Sequence, residues 1–280
     1  MTTPDDVLYC RIGLMPYRIH QRLPAVRPLL ILLLVLVFRL PAPAQPGARS
    51  REVTIAAASD LRYAMDALTA TFRRRQPAIK VNVVYGSSGK FFQQISRNAP
   101  FDLFFSADID YPRQLQQKAL TASPIQTYAI GRLVLWSPTI DPNTLGLKTL
   151  LDPSIRTIAI ANPLHAPYGK RAEESLRHYG LYDQVKARFV KGENIAQTAQ
   201  FVSSGAADIG IIALALAMSP PLKAQGRYFL IPANTHTSLE QGYVVLKRAR
   251  NNKAAFTFAS FLTTPPAKAI LKQYGFAMPN

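Results

Sequence analysis

A glycine- and serine-rich segment, GSSGK at residues 86–90, is the first stretch of this chain whose residue types could do chemistry. It resembles the phosphate-binding loop of nucleotide-hydrolysing proteins. That loop needs a glycine separated by four residues from its Gly-Lys pair, and a serine or threonine after the lysine to hold magnesium. Val84 and Phe91 occupy those two positions. The segment therefore predicts a helix start with free backbone N–H groups, which favours an anion site without nucleotide chemistry.

Other polar residues could contact the same anion, but each also has an ordinary structural explanation. Asp60 and Asn194 are favoured residues for capping a helix N-terminus, and Ser59 and Ser88 are common in turns. Tyr168 comes directly after a proline at a predicted helix start, and its phenol is a strong neutral donor on a rigid side chain. We expect Lys90 to be a solvated residue of the first helical turn. The clustering of such residues after successive strands favours the binding interpretation.

The sequence contains few residues with the spacing that an enzyme needs. It has no G-x-S-x-G motif, only four histidines in 280 residues, and no cluster with the spacing of metal ligands. The one cysteine, Cys10, precedes the apolar run near the N-terminus. We therefore predict a protein that is not an enzyme, with a secreted hydrolase as a distant alternative.

One organisation repeats along the chain: a short apolar strand, a small or polar turn, and an amphipathic helix. The four units are predicted to begin near residues 53, 81, 157 and 188. Four such units predict an α/β fold in which helices cover parallel sheets. Ligands of such sheets bind beyond the carboxyl ends of the strands, where helix N-termini converge and can hold a dianion without lysine or arginine.

The first 44 residues are predicted to be a cleaved signal peptide. Four arginines precede the apolar run from Leu29 to Phe38, and Ala42-Pro43-Ala44 is a small-residue cleavage motif. The formal net charge of the whole chain is +17. The basic residues are scattered, and export from the cytoplasm also argues against nucleic acid, so we predict a basic solvated surface and no nucleic-acid partner.

Six segments carry a family resemblance, and they cover nearly all of the chain after the signal. These segments are VTIAAASDLRYAMDALTATF, VNVVYGSSGKFFQQI, APFDLFFSAD, IAIANPLHAPYGKRAEESL, GENIAQTAQFVSSGAADIGIIAL and AKAILKQYGFAMP. In this order they resemble the molybdate-binding proteins, the periplasmic components of molybdate ABC importers. The resemblance implies a two-lobed type II periplasmic binding-protein fold that encloses the oxyanion in a cleft. It further implies a monomer without a cofactor, a membrane permease as partner, and a location in the periplasm.

The resemblance also implies which residues contact the ligand. Ser59, Asp60, Ser88, Tyr168 and Ile195 match binding positions of the family, and Ile195 does so through its backbone N–H. Ser59, Ser88, Tyr168 and Ile195 would contact oxygens of molybdate rather than a bare metal ion. Ala213 departs from the pattern, because several relatives have a binding tyrosine there.

The chain order implied by this fold divides the sequence. Residues 51–127 are expected to begin lobe 1 and residues 128–236 to form lobe 2. Residues 237–280 are expected to return as a strand and C-terminal helices that complete lobe 1. The sequence leaves open the orientation of the Asp60 side chain and the choice between molybdate and tungstate. A binding protein for phosphate or sulfate is the alternative within this class.

Overall fold

The computed structural model describes residues 51–279. The predicted signal peptide, residues 1–44, lies outside these residues. Within them, no helix is long and apolar enough to cross a lipid bilayer.

Short apolar segments form two five-stranded sheets. The first contains β1 (Glu52–Ala58), β2 (Lys80–Gly86), β3 (Leu103–Ser106), β4 (Gln126–Gly131) and β10 (Leu239–Val245), in the order β2-β1-β3-β10-β4. The second contains β5 (Leu133–Ser137), β6 (Ile158–Ala161), β7 (Phe189–Gly192), β8 (Ile209–Ala213) and β9 (Arg227–Leu230), in the order β7-β6-β8-β5-β9. We call the first sheet with its helices lobe 1, and the second lobe 2.

Each sheet is mixed, whereas the sequence predicted parallel sheets. Strands β1, β2 and β3 are parallel, as are β6, β7 and β8. The prediction fails for β10, which runs antiparallel to β3 and β4, and for β5, which runs antiparallel to β8 and β9. These strands lie where the chain passes between the sheets, and their direction follows from that passage rather than from a strand–helix–strand crossover.

The ten α-helices of the described region cover the sheets. They are α1 (Arg62–Arg75), α2 (Ser88–Ser96), α3 (Asp110–Gln117), α4 (Pro167–His178), α5 (Tyr182–Val185), α6 (Ile195–Ser203), α7 (Leu214–Ala217), α8 (Pro220–Gln225), α9 (Lys253–Leu262) and α10 (Pro265–Gln273). Short 3-10 helices occupy Ser59–Leu61, Gly146–Leu151, Lys186–Arg188, Ala233–Thr235 and Lys247–Ala249. All four predicted strand–turn–helix units are present, because β1, β2, β6 and β7 each lead into a helix.

The C-terminal helices pack on the core of lobe 1. The Phe258 ring of α9 lies edge-on to the Phe72 ring of α1, with the ring centroids 4.9 Å apart. Leu271 of α10 is buried in the same cluster. Aromatic pairs of this kind contribute about 0.5–1.5 kcal/mol beyond the area that they bury.

The chain crosses between the sheets beside a glycine. β4 ends at Gly131 in the first sheet and β5 begins at Leu133 in the second. A Cβ at Gly131 would lie 2.3 Å from the Tyr168 hydroxyl and 2.6 Å from the Gln241 amide nitrogen. Because β4 lies in the first sheet and β5 in the second, we propose Arg132 as the first lobe boundary, in place of the boundary expected after residue 127. The close approach of Tyr168 and Gln241 to the backbone requires glycine at the crossing.

A second glycine positions the start of α4. A Cβ at Gly169 would lie 2.0 Å from the carbonyl oxygen of Ala161, the last residue of β6. Because a buried strand cannot move aside easily, the helix approaches β6 only with glycine at this place. Gly169 thereby fixes the height of Tyr168 above the sheet.

We expect Gly169→Ala to lower the free energy of unfolding by about 1–3 kcal/mol or more, as overpacking does elsewhere. Lys170→Ala, at the next and exposed residue of the same helix, is the control and should change it by no more than about 0.5 kcal/mol. Urea denaturation of the two variants tests this. Equal stability of both variants would contradict the assigned contact.

Candidate functional site

Helix starts from both lobes meet where the two sheets face each other. The 3-10 helix at Ser59–Leu61 follows β1, α2 follows β2, α4 follows β6 and α6 follows β7. Each start offers backbone N–H groups without a partner in its own helix, together with a partial positive charge. The side chains at these starts are therefore placed to bind an anion.

Ser59 directly joins the two lobes. Its hydroxyl donates to the Asn194 side-chain oxygen at 3.0 Å and lies 3.2 Å from the Ala196 backbone N–H, which donates to it. Asn194 caps α6, because its side-chain oxygen accepts from the N–H groups of Ala196 and Gln197. The capping role expected for Asn194 is confirmed, and the cap brings the start of α6 to Ser59.

Ile195 is the first residue of α6 and is buried. The Asn194 cap uses the N–H groups of the two residues that follow Ile195. Among the hydrogen bonds of the described residues, none uses the Ile195 N–H itself. This N–H is therefore available as a donor at the helix start.

Ser88 is fully buried at the start of α2. Its hydroxyl oxygen accepts a hydrogen bond from the Ala107 N–H at 2.9 Å. This bond leaves the hydroxyl proton free to donate. The next residue, Gly89, donates its N–H to the His165 carbonyl of lobe 2 at 3.0 Å, so the start of α2 also faces the opposite lobe.

Asp60 and Tyr168 form a buried cluster with two residues that the sequence analysis did not single out. The Tyr168 hydroxyl donates to Asp60 Oδ2 at 3.0 Å, and the Gln241 amide donates to the same oxygen at 2.7 Å. Tyr128 donates to the Gln241 carbonyl oxygen at 2.6 Å. The cluster thus joins the 3-10 helix of lobe 1, the returning strand β10 and α4 of lobe 2.

The Tyr168 proton is already used in this arrangement. Sequence reasoning treated the phenol as a donor to the ligand, whereas the structure shows it donating to Asp60 and accepting from Gln241 at 3.1 Å. Contact of Tyr168 with an oxyanion would require this proton to change partner, and it stays a prediction. Gln241 could have been noticed in the sequence as a polar residue within a buried apolar strand, because buried amides require partners.

Burial determines the protonation of this cluster. It raises the pKa of the Asp60 carboxyl to about 6, although the hydrogen bonds from Gln241 and Tyr168 oppose the rise. Burial, reinforced by the Asp60 charge, also raises the pKa of Tyr128 and of Tyr168 well above the usual value. Both phenols are therefore protonated donors at every physiological pH.

Two ion pairs also join the lobes, one half exposed and one largely buried. Lys90 forms an ion pair with Glu193 of lobe 2, and both side chains are about half exposed. Arg171 of lobe 2 lies 3.3 Å from Asp108 of lobe 1, and this pair is largely buried. Burial, with the neighbouring Lys90 charge, lowers the pKa of His165, so its ring is neutral at pH 7. Lys90 is partly solvated, as expected, but it also pairs across the lobes.

The hydrogen-bonding groups at these helix starts are neutral. No hydrogen bond within residues 51–279 joins a lysine or arginine side chain to Ser59, Ser88 or Ile195. In the same residues, no three His, Cys, Asp or Glu side chains group together as metal ligands would. Neutral N–H and O–H donors at helix starts can bind an oxyanion through its oxygens.

A family model described as bacterial extracellular solute-binding protein matches residues 53–277. The chain belongs to this family. Two relatives of this solute-binding protein are the molybdate-binding proteins ModA of Azotobacter vinelandii and Rhodobacter capsulatus. The first is 32% identical over 236 residues, which cover 83% of this chain and 92% of the relative. The second is 33% identical over 246 residues, which cover 87% and 93%.

Solved structures give the same result for the fold. The periplasmic molybdate-binding protein of Azotobacter vinelandii superposes with a TM-score of 0.76 at 33% identity, covering 81% of this chain and all of that one. The sulfate-binding protein SubI of Mycobacterium tuberculosis superposes with a TM-score of 0.67 at 16% identity, covering 82% and 87%, and shows the fold alone. The predicted α/β two-lobed binding-protein fold and the family resemblance are confirmed.

The buried cluster of this solute-binding protein leads to a stability prediction. Tyr168→Phe removes one of the two donors to Asp60 Oδ2, and leaving a buried acceptor short of a partner costs about 1–3 kcal/mol. The control is Tyr179→Phe, because Tyr179 lies on the protein surface. We expect urea denaturation at pH 7.5 to show this loss for Tyr168→Phe only. If the Tyr168→Phe protein were as stable as the control, the assigned hydrogen bond from Tyr168 to Asp60 would be contradicted.

Proposed function

We propose that this chain captures molybdate, and also tungstate, outside the cytoplasm and delivers it to the membrane permease of an ABC importer. The observation that supports this most strongly is the meeting of the two lobes at Ser59, where a lobe 1 hydroxyl lies 3.2 Å from a backbone N–H at the start of α6. The printed names of the relatives from Azotobacter vinelandii and Rhodobacter capsulatus give the ligand of those proteins as molybdate.

The proposed contacts are hydrogen bonds to the oxyanion oxygens. Ser88 contributes its free hydroxyl proton, and Ile195 contributes its backbone N–H. Ser59 contributes its hydroxyl when its proton turns from the Asn194 side-chain oxygen to the ligand. Tyr168 and Asp60 complete the wall of the site, with Tyr168 as a contact if its proton turns from Asp60 to the ligand. These donors are neutral, so the ligand supplies the charge, and the partial charges at the helix starts compensate it.

Closure of the lobes on the ligand supplies both affinity and a signal. Each hydrogen bond to the anion strengthens as water leaves, because the local dielectric constant falls. The closed shape is then the one that the permease recognises. The ligand is cargo in this proposal, and the protein acts as a monomer without cofactor, catalysis or nucleic-acid partner, exported by its N-terminal signal to the periplasm.

Thermal unfolding with four sodium salts tests the proposed ligand. A ligand at 100 times its Kd stabilises the folded state by about 2.7 kcal/mol. For a domain of this size, that corresponds to a rise in Tm of about 5–10 °C. We expect molybdate and tungstate to raise the Tm by this amount, and sulfate and phosphate at the same concentration to leave it unchanged. An equal rise in Tm with sulfate or phosphate would favour the alternative, a binding protein for one of those oxyanions.

Ser88→Ala tests the donor set. Removal of the Ser88 hydroxyl leaves a charged ligand short of one hydrogen bond, which costs about 1–3 kcal/mol, or about 5- to 150-fold in Kd. The control is Lys90→Ala, whose half-exposed ion pair contributes about 0.2–1 kcal/mol, or less than about sixfold. Calorimetric titration with molybdate should show the larger loss for Ser88→Ala. A larger loss for Lys90→Ala would mean that a cation, rather than neutral donors, binds the anion.

A further inference from the structure

The Asp60 carboxyl group is only half satisfied by its surroundings. The residue is 1% exposed. Oδ2 accepts two side-chain hydrogen bonds, whereas Oδ1 is a buried atom without a hydrogen-bond partner at normal distance. The backbone N–H groups of Asp60 and Leu61 lie close to the carboxyl group and lower its pKa, but less than burial raises it. A buried carboxylate is costly unless both oxygens have donors or a cation lies close by. The neutral acid avoids that cost, because its second oxygen carries a proton.

No cation compensates Asp60 from the elements packed against it. α4 and β4 contribute the phenols of Tyr168 and Tyr128, and β10 contributes the neutral amide of Gln241. α6 and α7 contain no charged residue. Arg62 of α1 is the nearest charged residue along the chain, and it does not pair with Asp60. The buried Arg171 of α4 pairs with Asp108 and Glu174 instead.

Asp60 lies where ligand binding and lobe closure both affect it. It follows Ser59 directly, and its partners Tyr168 and Gln241 lie against Gly131 at the crossing between the lobes. A dianion bound at Ser59 would therefore approach a carboxylate in a region from which water has been removed. Three negative charges at such a place repel one another strongly, and neutralisation of the carboxylate removes one of them.

We propose that Asp60 is protonated in the complex with a dianionic oxyanion, so that capture of the ligand takes up one proton from solution. This inference rests on the proposed function. The step adds a proton from solution to Oδ1, the oxygen without a side-chain donor, and breaks no bond in the protein or the ligand. The Asp60 acid then keeps its two hydrogen bonds at Oδ2 and presents an O–H donor in place of a negative charge.

The sign of the pH dependence follows from linkage. Burial already raises the pKa of Asp60 to about 6 in the protein alone, and a nearby dianion raises it further. Proton uptake is therefore small below pH 6. It rises toward one proton per anion between the pKa of Asp60 in the free protein and its higher pKa in the complex. In that range the Kd for the dianion increases by up to about tenfold for each unit of rising pH.

Asp60→Asn removes the charge of the side chain and keeps nearly the same shape. Its amide oxygen can accept from Tyr168 and Gln241 as Oδ2 does, and its NH2 group is a donor at every pH. We expect this variant to bind molybdate with a Kd that does not vary between pH 6.5 and 8.5, and to bind more tightly than the original protein at pH 8.5. Asp66→Asn, at an exposed residue of α1, is the matched control and should retain the pH dependence.

The experiment is isothermal titration with sodium molybdate in pairs of buffers whose ionisation enthalpies differ. Across pH 6.5–8.5 the difference in heat between two buffers gives the number of protons taken up per anion. We expect uptake approaching one proton for the original protein and for Asp66→Asn at pH 7.5, and none for Asp60→Asn. Thermal unfolding of each variant confirms that it is folded, and the pH dependence of the original protein tests the inference without any variant.

The possible outcomes separate the two proposals. Binding of molybdate without proton uptake and with constant Kd would overturn this inference and leave the proposed function intact. Uptake that persists in Asp60→Asn would also overturn it, because the proton would then belong to another group such as His165. No binding of molybdate by the folded original protein would overturn both the proposed function and this inference.

Discussion

The proposed binding of a small dianion away from water is the constraint on which the rest of this structure depends. A buried charge needs several donors aimed at one point, and a single helix start provides only a few. Two sheets whose parallel strands end toward each other supply several starts, as the contact of Ser59 with the start of α6 shows. The mixed sheets follow from the same requirement, because β10 must return to lobe 1 after lobe 2 is complete.

The contacts between the lobes fall into two groups with different physical character. The first group consists of ion pairs. Lys90 and Glu193 are half exposed, so solvent screens their attraction, whereas the pair of Arg171 and Asp108 is largely buried. The second group is the cluster around Asp60, in which Asp60, Tyr168 and Gln241 are buried and hydrogen-bond to one another. Separation of the lobes there would expose a carboxylate to water and lower its pKa. Closure at this cluster would therefore be coupled to protonation of Asp60, as proposed above.

Local features of the fold could be predicted from the sequence, because they depend on residues close in the chain. The four strand–turn–helix units, the start of α2 at Ser88 and the cap at Asn194 are of this kind. The direction of β10 and the partner of the Tyr168 phenol could not be predicted. Asp60 and Gln241 are 181 positions apart, and their hydrogen bond exists only because the chain crosses twice between the lobes. Sequence pattern identifies a donor, but the tertiary fold decides which acceptor receives its proton.

A crystal structure of the protein grown with tungstate would test the central claim most directly, because tungsten scatters anomalously and marks its own position. We expect one strong anomalous peak between the lobes, with tungstate oxygens within about 2.7–3.2 Å of the Ser59 hydroxyl, the Ser88 hydroxyl and the Ile195 N–H. We also expect that no lysine or arginine side chain contacts the ligand. A peak bound by lysine or arginine side chains on the basic surface, with none between the lobes, would contradict the account.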